Sequence, residues 1–175
     1  FASYYLRAHS VSKMLAGVLR ALDKGVFAVT LFHFGGQVDE TTRLLEREGS
    51  AKLVHMPHWD LRRMQEAIGF AALDVLVFPE IGMDPHSYAL AMGRLAPVQL
   101  LMHGHACTSG LESIDYFVSY QGFSEPDVQE HYAERVLVLP GLTPLPTWYA
   151  IQPLPIQAGA RTAAGRGAGG PPFFR

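Results

Sequence analysis

Residues 101 to 117 read LMHGHACTSGLESIDYF, which sets two histidines, two glycines, the only cysteine and a Thr-Ser pair directly behind an apolar run. Three chemistries suit those residue types. Imidazoles and a thiol can bind a metal, a thiol beside an imidazole can act as a nucleophile, and a glycine loop lets a ligand approach the backbone. His103 and His105 alternate and would share a face on a strand, yet no HxxxH or CxxC completes a ligand set, so no metal is expected. Cys107 has candidate bases in His105 and His9, but the local sequence specifies no third group to orient them. Gly104 and Gly110 permit backbone geometry or close approach that a Cβ would block, and Thr108 and Ser109 offer hydroxyls and amides to a sugar or phosphate. A glycine-rich turn without a ligand is the plain alternative.

Two further clusters carry polar chemistry. In LRAHSV, His9 stands between a first strand and the start of a helix, whose positive end disfavours imidazolium and keeps the ring neutral, able to accept a proton near pH 7. Taken alone, a capping or solvated loop histidine is the commoner role. In FPEIGMDP, Glu80 and Asp84 could form a general base with an orienting carboxylate. Asp84 directly before Pro85 is also a good helix N-cap, and for that residue the cap is the favoured reading.

The elements that must position these groups alternate in period. FASYY reads as the end of a strand, and HSVSKMLAGVLRALDK as a helix capped by Ser10, with Val11, Met14, Leu15, Val18, Leu19 and Leu22 on one face. VFAVTLFHF is a second strand, and DETTRLLEREG a polar helix ending at Gly49 in the left-handed conformation. AKLVHM, DLRRMQEAIGFAA and DVLVFPE read as strand, helix, strand; DPHSYALAMGRL and APVQLLMHG as helix and buried strand. IDYFVS and RVLVLPG are strands around a short helical EPDVQEHYAE. Repeated strand-helix order predicts an α/β fold: a Rossmann-like parallel sheet with helices on both faces, whose ligands bind where strands deliver their carboxyl ends to loops.

Composition bounds the function. The chain has 175 residues, is 49% hydrophobic and carries a net charge of −2. No long basic run points to nucleic acid or an anionic membrane, and charges interrupt apolar runs before the roughly 18 residues a membrane helix needs. One cysteine and no secretory leader suggest a reducing, cytoplasmic setting, although a start at FASYY without Met suggests a cut or processed N-terminus. Residues 1–140 are expected to form the domain. Residues 141–175, Pro-rich and then Ala/Gly/Arg-rich, are expected to be disordered.

The segment RLAPVQLLMHGHACTSGLESIDYFVS followed by EHYAERVLVLPG resembles the protein O-linked N-acetylglucosamine transferases, the SPINDLY-containing glycosyltransferase family 41, which read approximately R-x-A-P-I-Q, G-[HY]-P-x-T-S-G, I-D-Y, Y-S-E and L-P. LRAHSVSKML extends the resemblance over residues 1 to about 141. It implies one half of a GT-B glycosyltransferase, the first, acceptor-side domain, with the nucleotide sugar held mainly by a second domain. It further implies inverting transfer of N-acetylglucosamine from UDP-GlcNAc to Ser/Thr hydroxyls of a protein acceptor, without cofactor or metal. His9 matches the family histidine considered as base or sugar contact, and Gly104, His105, Thr108, Ser109 and Gly110 match the loop that approaches sugar and diphosphate. Ala106 stands where the family has proline, and Tyr132–Ala133–Glu134 where it has Y-S-E. No donor-binding motif follows residue 140 and no tetratricopeptide repeat precedes the first strand, so the chain is expected to be truncated and inactive alone. The alternatives are a related transferase using another sugar and a non-catalytic binding module.

Overall fold

A computed structural model describes residues 1–57 and 60–140; the expectation of disorder over residues 141–175 lies outside the described residues. The elements are β1 (Ala2–Ser3), α1 (Ser10–Ala21), β2 (Thr30–His33), α2 (Glu40–Gly49), β3 (Lys52–His55), α3 (Leu61–Phe70), β4 (Val75–Phe78), α4 (Pro85–Ala91), β5 (Val98–Met102), β6 (Tyr116–Tyr120) and β7 (Arg135–Leu139). Short 3-10 turns at Gln121–Phe123 and Val128–His131 fill the β6–β7 connection.

All strand pairs are parallel, in two hydrogen-bonded sets, β1-β2-β3 and β4-β5-β6-β7. Edge strand β1 lies beside edge strand β4, which gives the layer the order β3-β2-β1-β4-β5-β6-β7. The chain winds outward from β1 in one direction and from β4 in the other. The crevice between their carboxyl ends is therefore the topological switch point, where open α/β sheets place ligands.

Helices cover both faces, as the alternation of strand side chains requires. On one face Leu31 and Leu53 pack with Leu15 and Leu19 of α1 and Leu45 of α2. On the other, Phe32, Leu76, Phe78, Leu101 and Phe117 form a continuous core with Met64 and Ile68 of α3 and Leu90 of α4. Burying each such side chain contributes about 1.5–3 kcal/mol, so this second core ties β1 to β4 although no backbone ladder does. Over β4–β7 the first face is less well covered: Val75 is 45% exposed, and Val77, Leu100 and Val118 belong to neither core.

Three local expectations are corrected. His9 caps α1, its Nδ1 accepting from the Val11 amide at 3.3 Å, because extended φ and ψ at His9 let helical geometry begin one residue earlier than a Ser10 cap would. The left-handed residue closing α2 is Ser50, with φ 46°, whose amide satisfies the Arg47 and Glu46 carbonyls, so Gly49 stays helical. The second strand starts at Thr30: the amides of Val26 and Phe27 bond back to the Asp23 carbonyl and hold those two residues in a turn.

Candidate functional site at the strand switch point

Phe78 ends β4, and Pro79 and Glu80 carry the chain into the crevice. Glu80 is fully buried there. The Ser3 hydroxyl lies 2.8 and 2.9 Å from its two carboxyl oxygens, and the Tyr4 amide donates to Oε1 at 3.3 Å. Burial pushes this carboxyl up to about 8, outweighing the Ser3 hydrogen bond, and the charge of Asp84 adds to the rise. Glu80 thus holds a proton at neutral pH and pins the end of β1 to the end of β4, in place of the open base that FPEIGMDP suggests.

A pH dependence follows from that proton. The folded state binds it more tightly than the unfolded chain, so the stabilisation is complete below pH ~4.5 and is lost as pH rises toward about 8. The buried Phe1 amine, lowered to about 5 by burial, acts in the opposite sense over much of this range. A difference measurement separates them: relative to Glu80→Gln, the parent chain should lose up to about 1.4 kcal/mol per pH unit between roughly pH 5 and 8. Denaturant titrations of both proteins across this range check it, and a pH-independent difference would contradict a neutral buried Glu80.

Asp84 behaves as a cap, its Oδ1 accepting from the amides of His86 and Ser87 at 2.8 and 3.0 Å, with Pro85 opening α4. Between them, residues 79–84 connect the two other clusters. On the β1 side, the Tyr5 hydroxyl donates to the Met83 carbonyl at 3.0 Å, and the Tyr5 ring stacks on His9 with centroids 4.3 Å apart. His9 is half-buried; burial and then the Arg7 guanidinium hold its pKa below the ordinary value, which agrees with a neutral ring. Arg7 itself lies 5.9 and 5.7 Å from the Tyr4 and Tyr5 ring centroids.

On the β5 side, the Gly104 amide donates to the Pro79 carbonyl at 3.0 Å. A Cβ on Gly104 would stand 2.4 Å from that oxygen and 3.3 Å from the Glu80 Cβ, so close approach is what requires this glycine. His105 lies over Gly82, where an added Cβ would meet its Cδ2 at 3.1 Å. Gly82 and Gly110 adopt φ of 95° and 68°, the left-handed region that favours glycine. An open groove of about 540 Å³ between Gly82 and Met92 adjoins the crevice, with Tyr88 on its wall.

Thr108 and Ser109 are held by a residue that the motif reading gave no role. Glu134, 2% exposed, accepts from the Thr108 hydroxyl at 2.7 Å, from the Ser109 amide at 2.7 Å and from the Ser109 hydroxyl. Burial would raise this carboxyl, but the Ser109 and Thr108 hydrogen bonds prevail and hold it below the usual carboxylate range. Thr108 Oγ1 in turn accepts from the amides of Gly110 and Ala133 at 3.2 and 3.1 Å. The Tyr132 hydroxyl donates to the Ala106 carbonyl at 3.1 Å, which fixes the loop where the family motif has proline. The donors of Ser109 and the Gly110 amide are therefore engaged within the protein, and the loop presents a prebuilt shape. Cys107 is exposed, and among the described residues no group of three or more His, Cys, Asp or Glu is placed to hold a metal.

The sequence signals for Glu134 were its place at the end of the Y-S-E-like motif and directly before an apolar strand, neither of which names its partners; Ser3 and Tyr5 gave none, since their partners lie more than 70 residues away. The 104–110 loop touches residues 79–84 directly through Gly104 and His105, whereas His9 is linked to that segment through Tyr5.

No family model matches the sequence, and no curated protein matches it significantly. Among solved structures, a point mutant of the Thermobaculum terrenum O-GlcNAc transferase matches with a TM-score of 0.67 and 27% identity, over 79% of this chain and 26% of that one. The chain thus spans about a quarter of the length of the structure it matches. The described residues have the α/β, Rossmann-like fold of one half of a GT-B glycosyltransferase, and an O-GlcNAc transferase is among their structural neighbours.

Proposed function

We propose that the chain forms the acceptor-side wall of a glycosyltransferase site, where N-acetylglucosamine passes from UDP-GlcNAc to a Ser or Thr hydroxyl of a protein, with inversion and without a cofactor. The observation that carries the reading is the convergence of Tyr5, which stacks on His9, and of the 104–110 loop on residues 79–84, at the switch point of a fold matched by an O-GlcNAc transferase. Transfer of this kind needs the acceptor in line behind the anomeric carbon and stabilisation of the departing diphosphate. Gly104, His105, Thr108, Ser109 and Gly110 form the rigid surface against which the sugar is oriented, and His9 faces it from the α1 side. The nucleotide is held chiefly by a second domain outside the described residues.

Purified 175-residue chain incubated with UDP-GlcNAc and a Ser/Thr-rich acceptor protein should transfer no sugar detectable by intact mass, because one wall alone supplies neither full positioning nor charge stabilisation. Turnover by a homogeneous sample would place the whole donor site within these residues and overturn the reading of the chain as half of a site.

A further inference from the structure

We propose that residues 142–156 of this chain fold back across the sheet face that the helices leave open over β4–β7. The proposal stands apart from the transferase reading above. Leu76, Phe78, Leu101, Phe117 and Val136 point into the second core, so the residues alternating with them point to the other face. There the strand register aligns Val77, Leu100 and Tyr116 in one row and Val118 with Leu137 in the next. None of these five joins either core, and Val75 and Leu139 at opposite corners are 45% and 41% exposed. Among the residues of the four strands only Arg135 is charged, at the outer edge. Parallel layers of this kind are stable with both faces covered, and α1 and α2 cover this one only over β2 and β3.

The sequence directly after β7 has the composition this face asks for. Residues 141–160 carry no charge and include Trp148, Tyr149, Ile151 and Leu154. Extended, residues 141–147 reach about 23 Å, beyond the roughly 14 Å from β7 to β4 at about 4.8 Å per strand. Trp148 can therefore be laid anywhere on the face. Pro144, Pro146, Pro153 and Pro155 have no amide donor, which unfits the segment for pairing with the free edge of β7 but costs nothing on a face, where side chains alone make the contact. Handedness points the same way. Right-handed crossovers stepping from β1 toward β3 pass over this face, as α1 and α2 do, and those stepping toward β7, with α3 and α4, pass over the other. A chain that leaves the carboxyl end of β7 and turns back toward β4 steps in the first sense.

The test uses the full chain with Trp59→Phe, which leaves Trp148 as the sole tryptophan. In buffer Trp148 should emit at shorter wavelength than in urea and be quenched several-fold less by acrylamide. Leu100→Lys should return both readings to their unfolded values while the amide signals of β1, β2 and β3 stay in place. Should either variant not fold, the difference spectrum between the parent and Trp148→Phe reads the same emission, and Ile151→Lys opposes docking from the side of the segment. Emission and quenching already at the unfolded values, as a disordered tail gives, overturn the proposal and leave the face to another molecule. A blue shift that Leu100→Lys and Ile151→Lys both leave in place puts Trp148 elsewhere and overturns it as well. A blue shift lost on dilution, with the sedimenting mass falling from two chains to one, assigns the face to a second copy and also overturns it.

Discussion

Glu134→Ala is expected to destabilise the chain by about 2–4 kcal/mol, because it strands the two buried Ser109 donors, each costing about 1–3 kcal/mol when left unpaired, whereas the exposed Thr108 hydroxyl can turn to water. The Ser109 amide and hydroxyl and the Thr108 hydroxyl all converge on this one carboxylate, which is 2% exposed. Water entering the cavity offsets part of the loss, which is why the expectation lies below the sum. In a domain of this size the midpoint of thermal unfolding should fall by about 10 °C. Glu134→Gln, which keeps the shape and one acceptor oxygen but turns an NH₂ toward a donor, should fall between the two. Thermal melts of the three proteins check the order, and an Ala variant as stable as the parent would show that the loop does not depend on Glu134.

Gly104→Ala is the second large effect, expected at about 3 kcal/mol or more, or as failure to fold. The added methyl would lie 2.4 Å from the Pro79 carbonyl oxygen, and relief requires the β5 exit to move away from the β4 exit. That movement would break the Gly104–Pro79 hydrogen bond and disturb the floor on which Glu80 is pinned. Gly110→Ala provides the contrast. Nothing stands within 4 Å of a Cβ there, so only its φ of 68° resists substitution, at about 1 kcal/mol. Equal effects at the two glycines, measured by urea unfolding, would contradict the assignment of close approach to one and backbone angle to the other.

These two sites show which parts of the molecule local sequence carried. Parallel strands in the interior of a layer read as near-continuous apolar runs, and LVF, QLLM and YFVS stand out because β4, β5 and β6 lie inside the layer. Asp84–Pro85 encoded its cap locally, since donor and acceptor are two or three residues apart. His9 and Ser10 are both competent cap residues one position apart, and the choice between them was made by the backbone leaving β1, which no composition rule records. The run VFAVTLFHF overstated its strand because its first two residues, Val26 and Phe27, are held in a turn by the Asp23 carbonyl, a partner outside the apolar run. Glu80 and Glu134 were the least legible. A buried acid looks like a surface acid in sequence, and the Ser3, Ser109 and Thr108 groups that hold these two carboxyls are distant along the chain.

The crevice at the β1/β4 switch point is proposed to face a sugar nucleotide. Backbone amide spectra of the ¹⁵N-labelled chain, recorded as UDP-GlcNAc is raised to millimolar concentration, test it most directly. Saturable shifts are expected at Val11, Gly82 and residues 104–110, with the amino ends of the strands, including the turn at Val26 and Phe27, unmoved. Shifts confined to that opposite end of the sheet, or a spectrum unchanged at the highest concentration, would contradict it.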